Sequence, residues 1–70
     1  MMTIGEHMRA ARKSAGLTLT QLQIKSGIER ASINKMELGK KFPTLLTAIS
    51  LADALGISID EYVGHIPRKG

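Results

Sequence analysis

Helix punctuation constrains this chain more than any other feature. Thr3 is followed three positions later by Glu6, Thr18 by Gln21, and Ser58 by Glu61. In this pattern the hydroxyl accepts from the backbone three residues on, and the acid or amide reaches back to the hydroxyl residue's own N–H. Two backbone donors orphaned at a helix start are satisfied together. Two of these boxes also carry a hydrophobic staple, Leu17 against Leu22 and Ile57 against Tyr62. Glycines fall where helices should stop, at Gly16, Gly27, Gly39, Gly56 and Gly64. No segment sustains period-two alternation, and β-branched residues are scattered. The expectation is an all-α fold, a compact five-helix bundle.

The spacing predicts helices over about Ile4 to Ala15, Leu19 to Ser26, Arg30 to Leu38, Leu45 to Leu55 and Ile59 to Val63. Ile4, Met8, Ala11 and Ala15 form the apolar stripe of the first. Leu22 anchors the second. The third starts with Ile28 stapled onto Ile33, although Glu29 is a weak cap. The fourth follows Pro43 and Thr44 and offers Leu45, Ala48, Leu51, Ala52 and Leu55 to the core. Residues 1–64 read as one domain and residues 65–70 as a C-terminal tail that frays. There is no internal repeat and no low-complexity segment.

Seventy residues is one domain, near the lower limit for folding without disulfides, metal or a partner. With no cysteine, a disulfide framework and a thiolate metal site are both excluded, which fits a reducing cytoplasm as the expected location. Apolar runs are no longer than two or three residues, too short to span a membrane. The first residues lack the basic start and apolar stretch of a signal peptide. Charge is unevenly placed. Residues 1–41 carry eight Lys or Arg against three acids, whereas residues 42–66 carry three acids and neither Lys nor Arg. A basic half beside an acidic half suggests a face built for a polyanion.

Residues 17–39 concentrate that suggestion. They read as two short helices joined by one tight glycine turn. The second of the pair buries Ile33 and Met36 and turns Arg30, Ala31, Asn34 and Lys35 outward. Small, basic and amide side chains on a free helical face fit the DNA major groove and can meet base edges there. An Arg pairs bidentately with guanine, a Lys reaches guanine O6 or N7, and an alanine methyl packs on a thymine methyl. Catalysis finds no support: the serines and acids are scattered, and so small a bundle is a poor host for a deep pocket. His7 and His65 have no neighbours at ligand spacing. No metal, cofactor or small-molecule ligand is expected.

Across roughly residues 3–64 the chain resembles the phage repressor and Cro-type helix-turn-helix domain, also called the XRE family. The resemblance rests on Arg12, Gly16-Leu17-Thr18, Leu22, Gly27-Ile28, Ile33, Glu37, Gly39-Lys40, Pro43, Leu45, Ala52, Leu55-Gly56 and Ser58 in joint spacing. It implies that the second helix spans the groove and the third enters it. Arg30, Ala31 and Lys35 match positions that face bases. Leu38, Lys40 and Lys41 match the end of the recognition helix and the loop that tracks the backbone. Thr18 and Leu19 match the phosphate-touching start of the second helix. Arg12 and Glu37 match a partly buried ion pair tying the first helix to the third. Ser32 and Asn34 are added as candidate phosphate contacts.

Three residues depart from the family pattern. Leu19 stands where glutamine is frequent and has no side-chain group for phosphate. Gln23 replaces a small residue between the second and third helices; it either hydrogen-bonds locally or pushes them apart. Glu29 either accepts from a cytosine amine as a base contact, repels phosphate, or is simply solvated. The function implied is a sequence-specific double-stranded DNA-binding transcriptional regulator that acts by operator occupancy as a homodimer. Phe42, Tyr62, Val63 and Ile66 are the expected dimer contacts, with Ile24 the next candidate. A free-standing chain would suit a phage regulator, a restriction-modification controller or an antitoxin; an excised N-terminal domain of a longer repressor fits equally. The alternative is a helical protein-interaction module that kept the fold but lost DNA reading.

Overall fold

The caps form, and they set the architecture. In the computed structural model, which describes residues 2–64, Thr3 opens α1 (Ile4–Ser14). Its hydroxyl accepts the Glu6 N–H at 3.2 Å and the Glu6 carboxylate accepts the Thr3 N–H at 2.8 Å. Thr18 and Gln21 repeat the exchange at α2 (Leu19–Ser26), at 3.1 and 2.8 Å. After α3 (Arg30–Glu37), Thr44 opens α4 (Leu45–Leu55) by accepting the Thr47 N–H. At α5 (Ile59–Val63) half of the expected box forms: Glu61 donates its N–H to the Ser58 hydroxyl, and the Ser58 N–H makes no return bond to the Glu61 carboxylate. The first and third helices end one residue earlier than expected, with Ala15 and Leu38 as their C-caps.

Met8, Leu22, Ile33, Met36, Leu51, Ala52 and Tyr62 form one core to which every helix contributes. α1 packs on α3 and α5, α2 on α3 and α4, and α4 on α5. The α1–α3 crossing is close. A Cβ on Gly5 would lie 2.5 Å from the Glu37 carbonyl oxygen and 2.6 Å from that of Met36, so only glycine fits there.

Four sequence expectations are corrected. Ala15 caps α1 and is exposed rather than part of its buried stripe. Leu45 is 69% exposed and does not reach the core. Tyr62, expected at a dimer surface, is fully buried in the core, against which Ile57 also packs. Val63 is half-buried and packs against the same core. Of the four expected dimer contacts, Phe42 is left on the surface, at 81% exposure. Ile66 and the tail 65–70 lie outside the described residues.

Candidate nucleic-acid interface

The path between α2 and α3 is fixed by local hydrogen bonds. Gly27 takes a left-handed conformation, φ +78°, that costs other residues energy. Its N–H donates to the Gln23 carbonyl at 2.8 Å, and the Ile28 N–H donates to the Ser26 hydroxyl at 3.1 Å. Ile28 then packs against the core. Glu29 occupies the N-cap of α3 but makes no side-chain cap. Gln23 supplies what Glu29 does not: its Oε1 accepts the Arg30 N–H at 2.8 Å across the turn. Of the two readings open for Gln23, local hydrogen bonding is the one realised. The amide of α2 caps α3 and fixes the angle between them.

The other end of α3 is tied to α1. The Arg12 Nε–H donates to Glu37 Oε2 at 2.8 Å and its Nη2 to Oε1 at 3.0 Å, while Nη1 donates to the Leu17 carbonyl at 2.9 Å. One guanidinium therefore joins α1, α3 and the loop entering α2. Both residues are buried. The hydrogen bonds that Arg12 donates to Glu37, opposed by desolvation, hold the Arg12 pKa above its usual value. Beside this pair the buried Tyr62 hydroxyl finds no hydrogen-bond partner among the described residues.

So held, α3 buries Ile33, Met36 and Glu37 and presents Arg30, Ala31, Asn34 and Lys35 to solvent. Among the described residues Arg12–Glu37 is the one ion pair, so Arg30, Lys35, Lys40 and Lys41 all stand without an acidic partner. Glu29 is exposed beside Arg30. Beyond α3, the Lys40 N–H folds back onto the Lys35 carbonyl at 2.9 Å, which places both exposed lysines of the loop at the end of the helix. Ser32 is half-buried on the flank of α3. It lines a groove of about 250 Å³ together with Lys41, Thr44 and Thr47 at the start of α4.

Two residues expected near phosphate have little to offer it. The Leu38 N–H is taken by the Asn34 carbonyl at 2.9 Å, and its side chain lines an apolar groove with Ile4 and Phe42. Leu38 therefore approaches a phosphate by van der Waals contact alone. The Leu19 side chain packs on the core, so its backbone N–H, in the first turn of α2, is its one polar donor. The Thr18 hydroxyl is already engaged in capping. Sequence reasoning did not find the capping role of Gln23 or the tight fit at Gly5. A polar residue facing a weak N-cap seven positions on was the available signal for the first; a glycine inside a well-capped helix was the signal for the second.

No group of three or more His, Cys, Asp or Glu among the described residues is placed to hold a metal ion, and no helix is long and apolar enough to cross a membrane. The sequence matches the family described as helix-turn-helix (HTH_3) over residues 8–62. It is 40% identical over 64 residues to the cryptic phage CTXphi transcriptional repressor RstR of Vibrio cholerae, covering 91% of this chain and 57% of that protein. It is 41% identical over 71 residues to the transcriptional repressor RghR of Bacillus subtilis, covering 100% of this chain and 50% of that one. The chain thus spans about half the length of these curated relatives. Among solved structures, the restriction-modification controller protein C.AhdI of Aeromonas hydrophila superposes with a TM-score of 0.81 at 30% identity, over 84% of this chain and 86% of that one. With the match running over residues 8–62, most of its length, the chain belongs to the HTH_3 helix-turn-helix family.

Proposed function

We propose that this chain is a sequence-specific double-stranded DNA-binding transcriptional regulator that occupies an operator as a homodimer. One observation carries the reading. α3 is clamped at both ends by polar contacts, yet its outer face is basic, small and uncommitted. Arg30, Ala31 and Lys35 read base edges in the major groove, with Glu29 accepting at the groove edge. Thr18, the Leu19 N–H, Ser32, Asn34, Lys40 and Lys41 hold the flanking phosphates and release counterions without reading sequence. Leu38 adds contact but no hydrogen bond. One such helix covers only a few base pairs, so useful specificity requires two half-sites. The alternative, a protein-interaction module that has lost DNA reading, leaves the unpaired Arg30, Lys35, Lys40 and Lys41 without a purpose on one side of the molecule.

Selection from a pool of random duplex DNA tests the reading. The expected result is an enriched palindromic site. Arg30→Ala and Lys35→Ala each weaken binding by roughly 1–3 kcal/mol and relax preference at particular bases. Lys40→Ala or Lys41→Ala weakens all sequences alike and lowers the salt slope by about one. An unselective pool, or a selected site unchanged in Arg30→Ala, defeats the assignment.

A further inference from the structure

α4 is the one long helix of the bundle that is apolar on both sides. Ala48, Leu51 and Ala52 are buried. Leu45, Leu46 and Ile49 are 69%, 77% and 39% exposed, and Phe42, in the preceding loop, is 81% exposed. Positions 45, 46 and 49 follow the three- and four-residue spacing of one helical face, and Phe42 stands exposed in the loop that leads into it. Asp53, exposed and four residues beyond Ile49, ends the stripe. At the other end stand Lys40 and Lys41. The stripe thus runs from a basic end to an acidic end across an uncharged centre. A helix apolar all round belongs in an interior, and this one has an interior on one side only.

We propose that a second copy of this chain covers this face, with the two α4 helices packed antiparallel about a two-fold axis passing beside Ile49. The proposal rests on the homodimer reading above and gives it a surface and a register. The charges choose the direction. A parallel pair sets Asp53 against Asp53 and Lys41 against Lys41. An antiparallel pair centred on residue 49 brings Asp53 of each copy opposite Leu45 of the other, against the positive N-terminus of that helix and within the neighbourhood of Lys41. Ile49 then meets its own symmetry mate, as an isologous contact requires. Leu46 and Phe42 flank it as anchors. The apolar groove of about 350 Å³ lined by Ile4, Leu38, Phe42 and Pro43 opens beside them. The exposed face of α3 stays free, and the loop 38–43 comes to lie near the two-fold, with one recognition helix on each side of it.

The chain has no cysteine, so a single introduced thiol reports on this geometry. A disulfide forms only between Cα atoms within about 7 Å. Sedimentation of the intact chain across a concentration series, with and without a palindromic duplex, is read beside mild oxidation of Ile49→Cys and Asp53→Cys. The expected result is a dimer whose Ile49→Cys form becomes a covalent dimer while Asp53→Cys does not. Leu46→Glu weakens self-association at least tenfold. Lys41→Glu weakens it as well, and adding Asp53→Lys to Lys41→Glu restores it. A chain that stays monomeric under all conditions overturns the homodimer reading and the surface together. A dimer in which Ile49→Cys fails to cross-link overturns only the surface. Cross-linking of Asp53→Cys instead overturns the antiparallel register. Circular dichroism of each variant verifies folding, which these exposed positions do not govern.

Discussion

α3 and α4 each put one face in the core and one outside, and they differ in almost everything else. α3 is positioned by directional polar contacts: the Gln23 cap at its start and the Arg12–Glu37 pair at its end. α4 is positioned by apolar packing below a single threonine cap. The outer face of α3 is basic and hydrophilic, while that of α4 is leucine and isoleucine. A helix that must meet base edges within a fraction of an ångström needs orientation, which hydrogen bonds give and nonspecific apolar contact does not. A helix that meets another apolar surface needs area, and can tolerate small adjustments in seating.

The largest test of that contrast falls on the brace. Arg12→Ala or Glu37→Ala strands a buried charge and costs roughly 3–5 kcal/mol in urea unfolding. The double replacement costs less than the sum, because the second change removes the charge that the first left stranded. Additive losses in the cycle break the claim that polar contacts, rather than packing, seat α3.

The cap is the next test. Gln23→Ala removes the acceptor of the Arg30 N–H and lowers stability by about 1 kcal/mol, the usual worth of a helix cap. Its larger signature is on DNA. With the start of α3 less firmly oriented, base discrimination near Arg30 declines more than total affinity. Equal losses on selected and random duplexes would show Gln23 to be merely structural.

Much of this molecule was legible in the sequence, and what was missed has a physical pattern. Capping residues, hydrophobic staples and glycine stops located the five described helices, because those signals act within about five residues and need no tertiary knowledge. α3 could be oriented because its apolar and polar residues separate cleanly, so Ile33 and Met36 admit only one inward face. α4 could not. With Leu45, Leu46, Ile49, Leu51 and Leu55 spread around it, periodicity does not choose a face, and Leu45 was assigned to the core that Leu51 occupies. Tyr62 was misplaced for a different reason: its clustering with Val63 suggested a surface patch, whereas the staple spacing with Ile57 already pointed it toward the core that both residues join. Gln23 and Gly5 act through space, on Arg30 and on the carbonyls at the end of α3, so the sequence flags them as unusual without naming their partners.

Tyr62 sharpens the comparison from the α3 side, where its buried ring lies beside the brace. Burial, reinforced by Glu37, pushes its hydroxyl well above the usual tyrosine range, with Arg12 opposing. The unfolded chain releases this proton near pH 10 and the folded chain retains it. The native state then holds more protons, so this contribution is complete below about pH 10 and is lost as pH rises further. Tyr62→Phe is expected to be neutral to about 1 kcal/mol stabilising at pH 7, since it deletes a buried hydroxyl that has no partner among the described residues. It also flattens the alkaline part of the stability profile. An unchanged fall above pH 10 would place its cause elsewhere.

The smallest effect on folding belongs to the outer face of α4. Leu45→Ser and Leu46→Ser remove side chains that are already 69% and 77% exposed, so chemical denaturation at low protein concentration shifts by less than about 0.5 kcal/mol. Serine is a modestly poorer helix former than leucine, and that propensity sets the bound. A buried leucine loses far more on truncation, of the order of 2–5 kcal/mol, so the two cases are easily told apart. Leu51→Ala, on the buried side of the same helix, provides that reference within one element. The outer-face variants gain meaning as concentration rises. If this face is covered by a second copy, wild type becomes more stable with concentration, as any associating species must. Leu46→Ser then loses that dependence while keeping its dilute stability. A stability that ignores concentration in both proteins would leave the outer face of α4 uncovered in solution.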